Sequence, residues 1–532
     1  MVGDIHCDPK FIIIPSEFGS MVRPHHQSLR APTPGELRDL AATHEMELSD
    51  QEVEAFINLI DGTLDTYERI GSIPEPRREQ RHTTREPGYR PDTDEDPNNA
   101  FVTRCYVKGA DDGPLSGYDI GVKDNIAVRG VEMTCGSNVF DGYLPARDAT
   151  AVRRLLDAGG DIVGKTNMSD MAVSGTGELS ATGPVLNPRN SEYLAGGSSS
   201  GSAAAVVEGS VDIALSTDQA GSIRVPAAWS GCVGHKPTHG LVPYTGALGM
   251  GYTFDHIGPI TNSVADAALA LDVLAGYDSD DPRQKYVQTH DYANSLTSEP
   301  DDITVGVIEE GFVGEQPSLD ETVRDACDAF AAQGATVETV SIPWHEEGTL
   351  IWRGIVPESI AALHRDEGVG HYVDGFYDTQ FLEQFANAKR ARANDFPPTY
   401  KFLVLLGQYL AEEHHSRFYA KAQNLLDELT DAYDSALADV DVLALPTSPT
   451  TAYELGEPLH RSDEIIERAQ TGVRTKNSSP FDVTGHPAVS VPCGTDDGLP
   501  VGLMFVGEHF DDATVLRAAQ AFEQSVDVDL DG

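Results

Sequence analysis

The order of apolar runs predicts an α/β fold, with one large body around a central sheet and a small helical unit ahead of it. Short strand-like runs alternate with helix-like runs from Cys105 onward, the signature of helices packed on a sheet. Fifty glycines suit such a loop-rich architecture better than a helical bundle. Near the N-terminus, two helix-start signals are set apart from the rest by a polar stretch.

Thr33-Pro34-Gly35-Glu36 reads as a capping box with proline in the first turn, opening a helix through Leu37, Leu40, Ala41 and His44. Ser49-Asp50-Gln51-Glu52 repeats the signal. The second helix carries Val53, Phe56, Ile57, Ile60, Leu64 and Tyr67 on one face. That stripe is expected to dock, with a homodimer as the simplest partner; the acidic opposite face disfavours a lipid surface. Residues 74–99, rich in Pro, Arg and Asp, read as a linker. The expected divisions are an N-terminal extension over 1–32, a helical unit with linker over 33–95, and a catalytic body over 96–532. The first twenty residues look unlike the rest of the chain, and Met21 reads as an alternative start.

Within the body, helix 149–156 is stopped by Gly159-Gly160 and followed by strand 161–164. Helix 200–208 leads to strand 211–216. Further on come strand 303–308, helix 320–332, strand 442–445, strands 488–491 and 501–506, and a helix from Ala513. Pro449 to Arg468 reads as an acidic surface excursion.

The net charge of −48 arises from 85 acidic against 37 basic side chains, only ten of them lysine. Such a surface repels nucleic acid and anionic lipid. The charge is spread along the whole chain, which predicts adaptation to molar salt, where counterions screen self-repulsion within a few ångströms. Six scattered cysteines without a CxxC pair predict reduced thiols in the cytoplasm. The longest early apolar run, Phe11 to Ile14, is too short for a membrane span.

Two serine-bearing loops and one lysine carry the chemistry. Gly196-Gly197-Ser198-Ser199-Ser200-Gly201-Ser202 precedes Thr217-Asp218-Gln219-Ala220-Gly221-Ser222-Ile223-Arg224-Val225-Pro226, and Lys123 closes an apolar segment upstream. A nucleophile, a proton relay and a base are the parts of an acyl-transfer site.

These motifs, with Val122-Lys123-Asp124-Asn125, resemble the amidase signature family. The intervals of 75 residues from Lys123 to Ser198 and 24 from Ser198 to Ser222 agree with it. Similarity covers most of 100–275 and resumes at 480–487 and 498–502, with a weaker match over 290–440. The resemblance implies a large mixed sheet flanked by helices, and an amidase that releases acid and ammonia through an acyl-enzyme with no metal or cofactor. Ser222 would be the nucleophile, Ser198 the relay behind a cis peptide bond after Gly197, and Lys123 the base. An exposed lysine titrates near about 10.4, so this role requires burial to bring the amine toward neutrality.

The resemblance also implies an oxyanion hole from the backbone N–H groups of Gln219, Ala220, Gly221 and Ser222. Ala220 stands where glycine is usual in the family, a costly exchange if the position needs positive φ. Asp218-Gln219, Gly234 to Thr238, Leu241 to Ala247 and Asp255 to Pro259 resemble the enantioselective amidases that accompany nitrile hydratases, here in a salt-adapted, haloarchaeal-like version. Thr217, Asp218 and Arg224 are expected to brace the loop. Two alternatives stand beside this reading: the amidase subunit of a tRNA-dependent amidotransferase, and a non-catalytic family relative.

Other motifs are read as carrying no chemistry. Gly197 to Gly201 fits G-x-S-x-G formally but comes after a polar stretch instead of a strand. Asp92 to Asp96 begins like a calcium loop, yet Pro97 replaces its glycine and Thr103 its final glutamate. Glu412-Glu413-His414-His415 reads as surface helix, and Cys135 and Cys232 as small buried hydrophobes.

Overall fold

The computed structural model describes residues 29–75, 80–370, 373–470 and 474–530. Met21, and most of the extension expected over 1–32, lie outside them. The chain divides at Arg81/His82 into two compact units.

The first unit is a helix pair, α1 (Pro34–Ala42) and α2 (Asp50–Gly71). Both capping boxes form. Thr33 Oγ1 accepts the Glu36 N–H at 3.3 Å and Glu36 Oε2 accepts the Thr33 N–H at 2.7 Å. Ser49 and Glu52 repeat the exchange at 3.3 and 2.8 Å. Ala41 and Val53 are the buried residues of the pair.

Among the described residues, the second unit holds fourteen strands: β1 (Arg85–Tyr89), β2 (Phe101–Val107), β3 (Asp119–Lys123), β4 (Asp161–Thr166), β5 (Leu186–Asn187), β6 (Asn190–Leu194), β7 (Ile213–Asp218), β8 (Val233–Lys236), β9 (His256–Thr261), β10 (Thr304–Ile308), β11 (Thr336–Val340), β12 (Val442–Pro446), β13 (Ala488–Asp496) and β14 (Leu499–Val506). Twelve form one sheet in the order β1-β2-β4-β3-β7-β9-β8-β13-β14-β12-β10-β11, and β5 and β6 make a separate ribbon. The sheet is mixed. Strand β3 runs parallel to β4 and β7, and β10 parallel to β11 and β12, while the remaining pairs are antiparallel.

Strand alternation divides the core between the two faces. Val442, Ala444, Leu503 and Phe505 point into one apolar cluster, whereas Leu443, Leu445, Met504 and Val506 point into another. The first cluster is completed by α3 (Thr150–Asp157), by α6 (Val264–Leu274), by α7 (Pro317–Ala332) and by α13 (Asp512–Ser525). The second is covered by α8 (His345–Arg365), α9 (Thr379–Ala391), α10 (Pro398–His414) and α11 (Arg417–Leu437). No helix among the described residues is long and apolar enough to cross a membrane.

One expectation is corrected here. The stretch 74–99 is not all linker, because β1 pairs antiparallel with β2 at the sheet edge. Four of its five residues are exposed, so its composition is polar, as an edge strand's is. It is anchored by Arg85, which pairs with Asp148 at 2.5 Å, and Asp96 accepts the Ala100 and Phe101 N–H groups at 2.8 Å each. The excursion 449–468 is mostly exposed over 454–464, as expected, and is fastened at both ends. Trp229 donates to Thr450 O at 2.8 Å and packs tilted against the Tyr453 ring, and Arg468 of α12 (Ser462–Gln470) pairs with Glu178 at 2.6 Å.

Candidate active site

Lys123 is the last residue of β3, and β7 lies parallel beside it with Val122 opposite Leu215. That register sets the lysine next to Thr217 at the carboxyl ends of two adjacent parallel strands, where α/β sheets place their sites. Lys123 Nζ is fully buried, 2.9 Å from Ser198 Oγ, 2.8 Å from Thr217 Oγ1 and 3.3 Å from Thr217 O. Burial pulls its pKa down to about 7, against the opposing pull of the Asp218 charge. A neutral amine has two N–H groups, which suit the two Thr217 oxygens, and one lone pair, which suits the Ser198 hydroxyl proton.

Ser198 follows a cis Gly197–Ser198 bond, and α4 (Ser200–Val207) begins two residues later. That helix starts pressed against the backbone of Asn167. A Cβ on Gly201 would stand 2.4 Å from Asn167 N and 2.2 Å from Ala100 O, so glycine alone fits. Ser222 sits in the turn between β7 and α5 (Arg224–Ser230). Its carbonyl accepts the Ser199 N–H at 3.3 Å, which joins the two serine loops. The Ser222 hydroxyl makes no hydrogen bond to protein among the described residues, and Ser222 lines a cavity of about 350 Å³.

Asp218 shapes the turn. One carboxylate oxygen accepts the Gly221 N–H and, at 2.8 Å, the Ser222 N–H; the other accepts the Ile223 N–H at 3.1 Å. Burial alone would raise this carboxyl, but the Arg224 guanidinium at 2.9 Å holds it well below the usual range. Arg224 also pairs with Asp482 at 2.7 Å, while burial and the Asp218 charge push the Asp482 carboxyl up.

The N–H groups expected to line an oxyanion hole fall into two pairs. Those of Gly221 and Ser222 are turned inward onto Asp218. The N–H groups of Gln219 and Ala220 have no protein acceptor among the described residues, and both residues line the cavity. The positive φ of +124° falls on Gly221, and Ala220 is outside that region, so its Cβ is tolerated. The Gln219 side chain donates to Tyr244 OH at 2.9 Å, and its carbonyl accepts the Trp352 indole N–H at 2.7 Å.

The rest of the cavity lining is mainly apolar, with Val173, Met250, Trp352, Val356, Phe402 and Leu406. Arg353 and Arg474 also line the cavity, and among the described residues no carboxylate does. Asp434, His486 and His509 could hold a cation elsewhere. However, His486 already bonds Asp434 and Thr484 at 2.9 Å each, and His509 bonds Thr484 O at 2.8 Å. None of the three lines the Ser222 cavity.

Residues 98–516, spanning both serine loops, Lys123 and Asp482, match the Amidase family model. The chain belongs to the amidase signature family. As such it is an enzyme that hydrolyses amide C–N bonds. It is 39% identical to an enantioselective amidase of Rhodococcus rhodochrous over 94% of this chain and 96% of that one. It is 41% identical to a glutamyl-tRNA(Gln) amidotransferase subunit of Haloarcula marismortui, over 80% of this chain and 99% of the other. The crystal structure of the corresponding Thermotoga maritima subunit superposes with a TM-score of 0.67 at 30% identity, over 80% of this chain and 88% of that chain. The fold is thus the amidase signature fold, as the motifs implied.

Sequence reasoning missed several residues that hold this candidate site. Thr217 bonds the lysine directly, beyond bracing a loop. Lys165 is fully buried and pairs with Asp124 at 3.1 Å, beside Lys123; its rarity as one of ten lysines was the available signal. Ser478 donates to Ala220 O at 2.5 Å. Trp352 falls in the weakly matched stretch, where no motif marks it.

Proposed function

We propose that this chain is a stand-alone amidase that converts carboxylic amides to acid and ammonia through an acyl-enzyme on Ser222. The observation that carries the reading is the buried Lys123 amine, brought near neutrality and 2.9 Å from Ser198 Oγ. Lys123 Nζ takes the Ser198 proton as Ser198 takes that of Ser222, and Ser222 Oγ bonds to the amide carbon. The N–H groups of Gln219 and Ala220 receive the developing oxyanion; removal of one such donor typically costs about 10²–10³ in kcat. Collapse breaks the C–N bond, and the proton returns through Ser198 to the leaving nitrogen, which departs as ammonia. Water then adds to the Ser222 ester, passing its proton along the same relay, and the acid leaves.

The second reading is the amidase subunit of a tRNA-dependent amidotransferase, which the relatives of that name favour. The stand-alone reading is supported by the span of similarity. The amidase relative matches 94% of this chain, including much of the N-terminal helical unit, while the amidotransferase relative matches 80%. The α2 stripe is the face on which a homodimer would form. Unpaired buried thiols at Cys105, Cys135, Cys232, Cys327 and Cys493 support a reducing, cytoplasmic setting, and the −48 charge supports work in molar salt. Size-exclusion chromatography with an ammonia-release assay tests the choice. Turnover of simple amides by the purified chain supports the amidase; activity only with co-purifying subunits supports the alternative.

A further inference from the structure

Trp352 joins the wall of the acyl cavity to the loop that presents Ala220. Its indole lines the cavity beside Val356 and Phe402, and its Nε1–H donates to Gln219 O at 2.7 Å. The Gln219 carbonyl and the Ala220 N–H belong to one amide plane. That bond is trans, the cis bond of the described residues being Gly197–Ser198. In a trans amide the two groups point in opposite directions. Whatever holds the carbonyl therefore sets the heading of the Ala220 N–H.

The neighbouring plane is pinned by the same logic. Ser478 Oγ holds Ala220 O at 2.5 Å, and at the other end of that amide the Gly221 N–H lands on Asp218. Tyr244 holds the Gln219 side chain at 2.9 Å. Of these anchors Trp352 is the one that also lines the cavity. Tryptophan suits both tasks, because it offers a broad apolar face and a single N–H donor.

We propose that Trp352 is a positioning residue for acyl transfer. Its N–H aims the Ala220 N–H at the oxyanion, and its ring carries the acyl group, so the chain's acyl specificity is read where the oxyanion loop is set. This rests on the assignment of Ser222 as nucleophile. An acyl group that packs well on the indole is then rewarded in kcat as well as in KM.

The test is Trp352→Phe, which keeps an aromatic wall and removes the donor, with Trp352→His as a variant that restores an N–H. Misaiming a donor should cost less than deleting one, so kcat should fall about 10- to 100-fold. KM for a small aliphatic amide should change little. An aldehyde matching the acyl group adds the Ser222 oxygen to its carbonyl carbon and leaves the oxyanion on its own oxygen. Its inhibition of Trp352→Phe should weaken in proportion to kcat, while inhibition by the product acid should not. Trp352→His should recover part of the loss. Unchanged kcat and aldehyde affinity in Trp352→Phe would overturn the proposal, as would equal weakening of aldehyde and acid. Failure of the underlying assignment would look different: Ser222→Ala would retain turnover and still bind the aldehyde as tightly as wild type.

Discussion

The Lys123 amine lies 2.8 Å from the Thr217 hydroxyl, across the register of two parallel strands. This contact gives one amine N–H an acceptor that carries no charge. The nearest opposing carboxylate effect, from Asp218, is outweighed by burial, so the amine is brought close to neutrality without being left unsatisfied. A lysine becomes a usable base when the charged form is penalised and the neutral form is still hydrogen-bonded.

The rate should therefore follow the lysine. With its pKa at about 7, kcat/KM should rise through that pH and level off above it, since only the neutral amine accepts the Ser198 proton. A profile flat between about pH 5 and 10 would contradict the assignment. The same group affects stability. Between about 7 and about 10.4, its unfolded value, the unfolded chain binds more protons than the folded one, so stability rises with pH across that window. Lys123→Met should be inactive and should show a flatter stability curve there than wild type in paired denaturant titrations.

Gly221→Ala should cripple the enzyme. The residue sits at φ +124°, and an added Cβ would come within 2.3 Å of Ser478 Oγ. Backbone strain alone costs about 1 kcal/mol or more. The loop would have to shift the N–H groups it presents, so kcat should fall far more than thermal stability does. Equal kcat in variant and wild type would show that the loop's shape does not matter.

Salt should be required for the fold. The −48 net charge is screened within about 3 Å at 1 M salt, but over about 30 Å at 0.01 M. Circular dichroism should report a loosened or unfolded chain in dilute buffer and a native one in molar KCl. A native spectrum and full activity in dilute buffer would refute the adaptation.

The parts of this fold with strong local signatures were legible in the sequence. Both capping boxes formed as expected, because each needs only a four-residue segment. Buried strands such as β7, β12 and β14 announced themselves as apolar runs. Strand β1 did not, because an edge strand with four exposed residues has the composition of a loop. The placement of Lys123 beside Ser198 was legible only through a resemblance, since nothing local says that residues 75 apart will meet. The grip of Ser478 on Ala220 O, which helps to set the Gly221 N–H, and that of Trp352 on Gln219 O are contacts over a hundred residues away. No pattern in the chain encodes those.

The central claim is hydrolysis through an acyl-enzyme on Ser222, and the most direct test is ammonia release in molar KCl from aliphatic, aromatic and α-substituted amides, wild type against Ser222→Ala. Wild type should release ammonia and accumulate an acylated Ser222 peptide in rapidly quenched samples, and the folded variant should do neither. Ammonia release by Ser222→Ala at the wild-type rate would contradict it.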